Sequence, residues 1–342
     1  MIIYVLDNNF SRVGVLDSVT SAIFTKRYYD TGDFEIYTAA DEETVELLTG
    51  YNYIVKSGDD TVYEISSINI ITDTEQGNYI TVSGYNIEKI LDRRIIWKQT
   101  NFSGTVSAAI RKFINENAIS PEDEKRIIPR LKLGSGTGSD EITIQKTGQN
   151  LLETVIELCK SYGYGFRMNL DFDTRMLTFN LYQGQKRNVQ FSAEYDNLLS
   201  TNYNYQSSEF KNTVLIAGEG EGTARVRESI NTSASGMNRY ELYVDARDLS
   251  SNDGEISESE YRTMLKTRGR EKLAEHSVKE EYEGEVIVDS TFIYGEDYDL
   301  GDIVTVKNEY GLTAQARIIE VIECEDETGH TFIPTFDKWE VQ

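Results

Sequence analysis

The chain of 342 residues contains very little cysteine, histidine or proline. Cys159 and Cys324 lie far apart and form no Cys-x-x-Cys pair, so the sequence predicts neither a disulfide framework nor a redox motif. The two histidines, His276 and His330, cannot supply a three-histidine zinc site, and no His-Glu-x-x-His motif is present. The three prolines are Pro121, Pro129 and Pro334.

Basic residues are also scarce relative to acidic ones. Lys and Arg number 34 and Asp and Glu number 58, which gives a formal net charge of −24. A protein that binds nucleic acid by neutralising phosphates needs a basic surface, and adhesion to an anionic membrane needs one too. The charge therefore argues against both classes of function.

Long apolar runs are missing from the sequence. No stretch approaches the roughly 18 residues that a membrane-crossing helix requires. The segment Met1–Phe10 has no basic start and no small-residue cleavage site, so we predict no secretory signal peptide. We expect no membrane-spanning segment, and a protein that is made in a cytoplasm and leaves it, if at all, by another route.

The candidates for catalytic or metal chemistry are weak. Cys159 with either histidine could form a nucleophile–base pair, but Cys159 lies on the apolar stripe of a predicted helix, which favours packing in a core. The segment Leu249–Glu260 has the spacing of a calcium loop, but Leu249 stands where the first Asp ligand is required. The Gly-rich segments 134–138 and 218–222 lack the Gly-Lys-Ser/Thr of a P-loop. We therefore assign no catalytic, cofactor-binding or metal-binding residue, and we expect no enzyme activity.

Tyrosine and short β-forming segments are abundant instead. The chain has 22 Tyr, and runs of Val, Ile, Tyr and Thr alternate with Asn, Asp and Gly, a pattern typical of strands and turns. The predicted strands near one end are Ile2–Leu6, Ala22–Tyr28, Phe34–Thr38, Tyr51–Lys56, Thr61–Ile71 and Tyr79–Ser83. Those near the other end are Val286–Ile293, Ile303–Lys307, Ala314–Ile322 and Thr331–Val341.

Between these ends the apolar period becomes helical. A first helical face contains Val106, Ile110 and Phe113. Asn150 can cap a second helix that Gly163 ends, and a hairpin around 171–174 follows. Ser257 has the capping-box spacing that begins a third helix. Short helices are also predicted after Asp41 and over Tyr85–Asp92.

These patterns predict an α+β fold that is mostly β. The length is about twice that of a typical domain of ~150 residues, so we expect more than one unit. The predicted units are a β region at 1–98, an α+β region at 99–190, a second β region formed by 191–218 and 284–342, and a helix-containing insert at 219–283.

A short internal echo connects the two β regions. Tyr29–Phe34 and Tyr298–Ile303 both have the pattern Tyr-Asp-x-Gly-Asp-apolar and both precede a strand. Two interpretations fit. The echo indicates two related β-domains in one chain, or it is a coincidence between two Asp-Gly turns in an acidic, Tyr-rich protein.

Several segments, taken in order, resemble a known family. They are Tyr29–Glu35, Gly84–Arg94, Asn150–Glu153, Asn212–Gly218 and Tyr298–Val304. Together they resemble the tail hub proteins of long-tailed bacteriophages and prophages. That group includes the N-terminal hub part of tail-associated lysins and is similar in fold to the baseplate hub of contractile tails. The resemblance spans about residues 1 to 340.

The resemblance implies a structural, non-enzymatic role. Such hubs are trimers in which each chain contributes two β-barrel-like domains, here residues 1–98 and 191–218 with 284–342. The remaining regions, 99–190 and 219–283, correspond to accessory domains. The trimeric ring adapts sixfold tail symmetry to a threefold tip and encloses a DNA-conducting channel. No catalytic residue of the family maps onto this sequence, and no cofactor is implied.

The resemblance also implies partners and a location. The expected partners are two further copies in a homotrimer, a distal tail protein or tail tube ring, the tape measure protein, and a tip fibre or spike protein. Phage DNA is expected to pass through without specific binding, in keeping with the negative charge. The expected location is the distal tip of the virion tail, after assembly in the host bacterial cytoplasm.

Two alternatives stay open. The first is a cell-wall-active protein of the tail tip that degrades peptidoglycan or binds glycans, since the two Trp and many Tyr could stack on sugars. The second is the related spike hub of a contractile injection system.

Overall fold

The first β region contains seven strands and one helix. A computed structural model describes residues 1–73, 77–195, 197–231, 233–286, 292–307, 310, 313–327 and 329–341. The elements are β1 (Ile3–Leu6), β2 (Arg12–Leu16), β3 (Ser21–Arg27), β4 (Asp33–Ala39), α1 (Glu42–Gly50), β5 (Tyr53–Lys56), β6 (Val62–Asp73) and β7 (Gly77–Asn86). A 3-10 helix at Ile87–Arg93 follows.

The α+β region packs two helices against short strands. Its elements are β8 (Thr100–Thr105), α2 (Val106–Ile114), β9 (Leu131–Leu133), β10 (Glu141–Lys146), α3 (Leu151–Tyr162), β11 (Gly165–Asp171) and β12 (Met176–Tyr182). Helix α2 passes directly into a π-helical turn at Asn115–Ile119.

The rest of the chain returns to strands, with one helical insert. The strands before the insert are β13 (Lys186–Ser192) and β14 (Leu198–Gln206). The insert begins before the predicted residue 219, because β15 (Thr213–Ala217) pairs with β16 (Arg227–Ile230) and β17 (Glu241–Asp245) in a separate sheet, and α4 (Glu258–Glu275) follows them. The last strands are β18 (Lys279–Val286), β19 (Ile303–Lys307), β20 (Thr313–Asp326) and β21 (Gly329–Val341).

The two β regions share a single sheet of 13 strands. Its main path is β14-β18-β21-β20-β3-β4-β7-β6-β5-β1-β2, and β19 joins β20 to β13. The seam between the regions is the antiparallel pair β20–β3. The pairing of the described strands leaves this path open and does not close it into a barrel. The predicted α+β, mostly β fold is confirmed, but the two regions predicted to be β-barrel-like are sections of one open sheet among the described strands.

Ionic contacts reinforce the seam. The register of β20 against β3 runs from Glu320 opposite Arg27 to Glu325 opposite Ala22. The Arg27 Nε lies 2.6 Å from the Glu320 carboxylate, and the Lys56 ammonium of β5 pairs with Glu323. Because these pairs are partly buried, solvent screens them less than it screens an exposed pair.

Four apolar clusters form the core. The α+β region contributes a large one that includes Ile110, Phe113, Leu158, Phe166 and Phe179. The first β region packs around Ile3, Phe24, Phe34, Tyr63 and Val82. The second β region packs around Phe191, Tyr298, Val306, Ile318 and Phe336. In the insert, α4 covers β15 through Val214, Ile216, Met264 and Leu265.

The predicted helix ends are confirmed by their capping contacts. Asn150 Oδ1 accepts a hydrogen bond from the Glu153 amide at 3.1 Å, and Gly163 ends α3 with a left-handed φ of 71°. The Ser257 hydroxyl accepts from the Glu260 amide at 3.3 Å. Asp41 caps α1 in the same way.

Several local features differ from the predictions, among them the short strands β8, β9, β10 and β16, which were not predicted. Strand β2 was not predicted, because its sequence Arg-Val-Gly-Val-Leu contains a glycine and an arginine and is short. The segment predicted as a helix at Tyr85–Asp92 is instead the 3-10 helix, and Gly50 is the last residue of α1. Most of the predicted strand Val286–Ile293 lies outside the described residues.

Candidate functional site

Tyr28, the residue directly after β3, lies where three regions of the chain meet. Its side chain is fully buried. The hydroxyl donates to the Gly163 carbonyl at 3.0 Å and accepts from the Gly184 amide at 3.3 Å, both outside the first β region. The Arg317 guanidinium of β20 lies 5.2 Å from the ring centroid. One side chain therefore ties both β regions to the α+β region.

Glycines make room for the Tyr28 ring. A Cβ added at Gly165 or at Gly301 would lie 2.3 Å from ring atom Cε2, closer than any real Cβ contact. Gly301 also has a φ of +93°, which L side chains rarely adopt. The glycine of the second Tyr-Asp-x-Gly-Asp segment is thus required both by its turn and by the Tyr28 contact.

The two Tyr-Asp-x-Gly-Asp segments have similar local contacts. Asp30 accepts from the amide of Thr31 at 2.7 Å, and Asp299 accepts from the amide of Leu300 at the same distance. The second aspartate of each segment stands at the start of a strand and pairs with an arginine. These pairs are Asp33 with Arg27 and Asp302 with Arg187. The shared contacts favour the interpretation of the echo as two related units.

The two turns also meet at one cavity of about 80 Å³. Asp30 and Asp299 both line it. Glu88, from the 3-10 helix, lines it as well and is almost fully buried. Its Oε1 accepts from the Met168 amide at 2.6 Å, while Oε2 has no hydrogen-bond partner among the described protein atoms. Burial raises the pKa of Glu88 to about 7, so this carboxyl titrates near neutral pH.

A buried charge cluster joins the insert to the α+β region. Lys146 of β10 lies 2.7 Å from the Glu157 carboxylate of α3 and 3.2 Å from the Glu271 carboxylate of α4. Burial raises the pKa of the Glu271 carboxyl above its usual value. Lys146 outweighs the burial of Glu157 and holds the pKa of that carboxyl below its usual value. Removing one partner would leave a buried charge uncompensated. The cluster therefore holds α4 against β10 and α3.

Two long edges of the 13-stranded sheet are open among the described strands, in addition to those at β2 and β13. Strand β5 pairs with β6 only from Val62 to Glu64, so the segment Ser66–Asp73, here called the β6 edge, has β7 on one side alone. Strand β14 ends the sheet path and pairs with β18 alone. An open edge presents backbone groups that can pair with another chain.

These two edges lack the usual protection against pairing. In a protein with a net charge of −24, β14 contains no charged residue and the β6 edge contains only Asp73. Ile68, Ile70 and Ile71 are exposed on the β6 edge, and Tyr203 and Tyr205 are exposed on β14. By contrast, the terminal strand β2 is short and carries Arg12, and β13 carries Lys186 and Arg187. Long, exposed edges with almost no charge can pair with another chain.

Cys159 and Leu249, which were considered as a nucleophile and as part of a calcium loop, are both buried in apolar clusters. Cys159 is fully buried in the α+β core, and burial raises the pKa of its thiol, as expected for a packing residue. Leu249, the first position of the calcium-like segment, is buried in the core of the insert. Among the described residues no group of His, Cys, Asp and Glu is arranged to hold a metal ion. No helix in the described part of the chain is long and apolar enough to cross a membrane.

A protein-family model matches nearly the whole chain. The matching family is described as Siphovirus ReqiPepy6 Gp37-like protein, and the match covers residues 2–336. The chain belongs to this family. No curated protein matches the sequence.

Solved structures of prophage tail proteins have the same fold. The 43 kDa tail protein of prophage MuSo2 from Shewanella oneidensis is 14% identical with a TM-score of 0.61, and 98% of each chain is covered. A tail protein from Neisseria meningitidis MC58 is 13% identical with a TM-score of 0.60, over 98% of this chain and 96% of that one. Prophage tail protein gp18 from Listeria monocytogenes EGD-e is 13% identical with a TM-score of 0.55, over 98% and 94%. The resemblance to phage and prophage tail proteins is confirmed.

Sequence reasoning found the two turns but missed what they contact. Tyr28, Gly165 and Gly184 come together only through the fold, and no local pattern marks them. Glu88 is one acid among 58 in the sequence. The 3-10 helix around it also contains Lys89, Asp92 and Arg93, so no local pattern identifies Glu88 as buried.

Replacing Gly301 with alanine tests the Tyr28 junction. We expect Gly301→Ala to lower the free energy of unfolding by about 2–4 kcal/mol, because it combines backbone strain with overlap on the Tyr28 ring. Gly295→Ala is the matched control, since Gly295 also has a positive φ but an added Cβ would contact nothing within 4 Å. Urea unfolding followed by circular dichroism measures both. Equal losses in the two variants would contradict the packing role of Gly301.

The raised pKa of Glu88 predicts a pH dependence of stability. A carboxyl whose folded pKa is about 7, above its unfolded value near 4.5, contributes stability that is complete below pH 4.5 and is lost as pH rises through 7. Glu88→Gln cannot ionise and keeps an oxygen for the Met168 amide. We expect it to match the parent protein near pH 5 and to be more stable at pH 8, by on the order of 2 kcal/mol. Unfolding curves at pH 5 to 8 that stay parallel for the two proteins would contradict this.

Proposed function

We propose that this protein is the hub at the distal end of a phage or prophage tail. Three copies form a closed ring that adapts the sixfold tail to a threefold tip and encloses the channel through which DNA leaves. The role is non-enzymatic. The observation that carries the proposal is the single 13-stranded sheet, which joins both β regions and has two long open edges with only one charged residue, Asp73, between them.

Ring closure follows from having two different open edges on one chain. When the β6 edge of one copy pairs with β14 of the next, the contact is heterologous, and a heterologous contact closes into a ring when its rotation allows. The two segments have similar lengths, and both place apolar or aromatic side chains beside the backbone groups to be paired. Pairing would satisfy the open backbone groups and bury those side chains together.

Two related units per chain would give the ring its mixed symmetry. The segments at Tyr29–Phe34 and Tyr298–Ile303 occupy similar turns in the two β regions. Three chains would then present six similar sheet sections to a sixfold tail ring, while the insert and the α+β region, present once per chain, face a threefold tip. The fold shared with prophage tail proteins supports this arrangement.

The charge of the chain suits a DNA channel. Each copy carries a formal charge of −24, so a ring of copies repels the DNA backbone rather than holding it. The partners we propose are a distal tail protein or tail tube ring, the tape measure protein, and a tip fibre or spike protein. The proposed location is the distal tip of the virion tail, with assembly in the host cytoplasm.

A charge placed on the β6 edge tests the ring. By light scattering, the parent protein alone is expected to have the mass of three 38.9 kDa chains, and its complex with the distal tail protein the mass of three chains plus the bound partner. Ile70→Lys should shift that mass to a single chain, because a lysine on an edge strand opposes pairing. Leu215→Lys is the matched control, since Leu215 is similarly exposed but lies on the insert.

The outcomes separate the models clearly. A trimeric parent and control with a monomeric Ile70→Lys variant would support ring closure through the β6 edge. A parent protein that is a dimer at every concentration, or an Ile70→Lys variant that stays trimeric, would contradict it.

A further inference from the structure

A polar cleft of about 700 Å³ lies in the α+β region, away from both sheet edges. It opens between the segment after the 3-10 helix, the end of α2 and the turns that follow. Its lining residues include Trp97, Gln99, Asn101, Asn117, Glu122 and Arg126. Neither the Tyr28 junction nor the proposed ring contact uses this cleft.

Trp97 presents its indole to solvent at this cleft. The side chain is 64% exposed, which is unusual for so large an apolar ring. The Arg126 guanidinium carbon lies 4.9 Å from the ring centroid and covers one face. The exposed area therefore belongs mainly to the rest of the ring, including the opposite face.

The surrounding structure holds Trp97 in place. The Trp97 amide donates to Asn117 Oδ1 at 3.0 Å, and Asn117 Nδ2 donates to the Phe113 carbonyl at 2.9 Å. Asn117 is 97% buried and belongs to the π-helical turn at Asn115–Ile119. Arg126 is anchored by its bond to the Ile95 carbonyl at 2.7 Å. π-Helical turns are rare and frequently occur at functional sites. In this protein the turn places Asn117 where its side chain accepts a hydrogen bond from the Trp97 amide.

The cleft is electrically balanced, although the chain is strongly acidic. Its three cations are Lys98, Lys112 and Arg126, and its three carboxylates are Glu116, Glu122 and Asp123. Lys98 pairs with Glu122 at 2.5 Å, and Lys112 pairs with Glu116. The balance favours an uncharged ligand, and the polar lining disfavours an apolar one.

We propose that this cleft binds a neutral oligosaccharide. An exposed indole face packs against the C–H face of a pyranose ring, while its polar surroundings meet hydroxyl groups. Side chains that line the cleft, such as Asn101, Ser120 and Glu122, offer the acceptors and donors that sugar hydroxyls need. The cleft volume lies within the range of small-molecule sites, so a short saccharide segment fits. The site would give a tail tip affinity for a surface glycan, without any hydrolytic step.

The test uses the indole itself as a reporter. The sequence has two tryptophans, Trp97 and Trp339, so Trp339→Phe leaves Trp97 as the sole indole. This protein is titrated with chitotetraose, cellotetraose, maltotetraose and a β-1,3-glucan tetramer, with emission recorded. At least one of the four is expected to give a saturable change in Trp97 emission.

Calorimetry on variants then assigns the binding to the cleft. Trp97→Ala should weaken binding of the active saccharide by at least about tenfold, since a stacked tryptophan carries a large share of binding energy. Tyr85→Ala is the matched control, because Tyr85 is also an exposed ring beside a cation, Lys89, but does not line the cleft. It should bind as the parent does.

Two results would overturn the proposal. One is the failure of all four saccharides to bind the parent protein. The other is equal affinity of Trp97→Ala and the parent. Light scattering of the same samples distinguishes failure of this proposal from failure of the hub proposal. Loss of sugar binding in Trp97→Ala is expected to leave the oligomeric mass unchanged. A monomeric protein would still contain the Trp97 cleft, because no residue of the β6 edge or β14 lines it.

Discussion

The pairing of β20 with β3 is the contact on which the rest of the structure depends. It joins strands almost 300 residues apart in the chain and merges two β regions into one sheet. The pairing takes up one edge of β20 and one edge of β3, so that β3, β4, β7, β20 and β21 each have a neighbour on both sides. Among the described strands, the β6 edge is open because β5 pairs only with Val62–Glu64, and β14 is open because it pairs with β18 alone.

Tyr28 connects the paired strands β3 and β20 to the α+β region. Tyr28 follows β3 directly. Its hydroxyl bonds the Gly163 carbonyl at the end of α3, and its aromatic ring packs against Gly301 of the second turn. The close approaches tolerate no Cβ, which couples the backbone of one turn to the side chain of another. The buried carboxyl of Glu88 lies in the cavity that both turns line, and its Oε2 has no hydrogen-bond partner among the described protein atoms. The junction therefore combines tight packing with a buried polar group that lowers the free energy of unfolding.

The sequence allowed accurate prediction wherever local chemistry decides the structure. Asn150, Gly163 and Ser257 end or begin their helices as their types predict, since capping is settled within a few residues. The strands at Phe34, Ile54 and Ile303 follow from short alternating patterns. The α+β, mostly β class and the order of regions follow from these elements.

What could not be predicted depends on long-range pairing. Nothing near β3 indicates that its partner is β20, so the single sheet and its open edges were beyond reach. Tyr28 and Glu88 differ from the other 21 tyrosines and the other acids only by where the fold places them. The Trp97 cleft depends on the π-helical turn at Asn115–Ile119. A π-helical turn differs from an α-helix by hydrogen bonds one residue longer, and five residues are too few for the sequence pattern to reveal that difference.

Electron cryo-microscopy of the assembled protein would show whether the sheets of neighbouring copies join into a ring. We predict three copies around an open channel, with the β6 edge of each copy beside β14 of the next and one continuous β wall. A twofold assembly would contradict it, as would a ring in which Ser66–Asp73 and Leu198–Gln206 both face solvent.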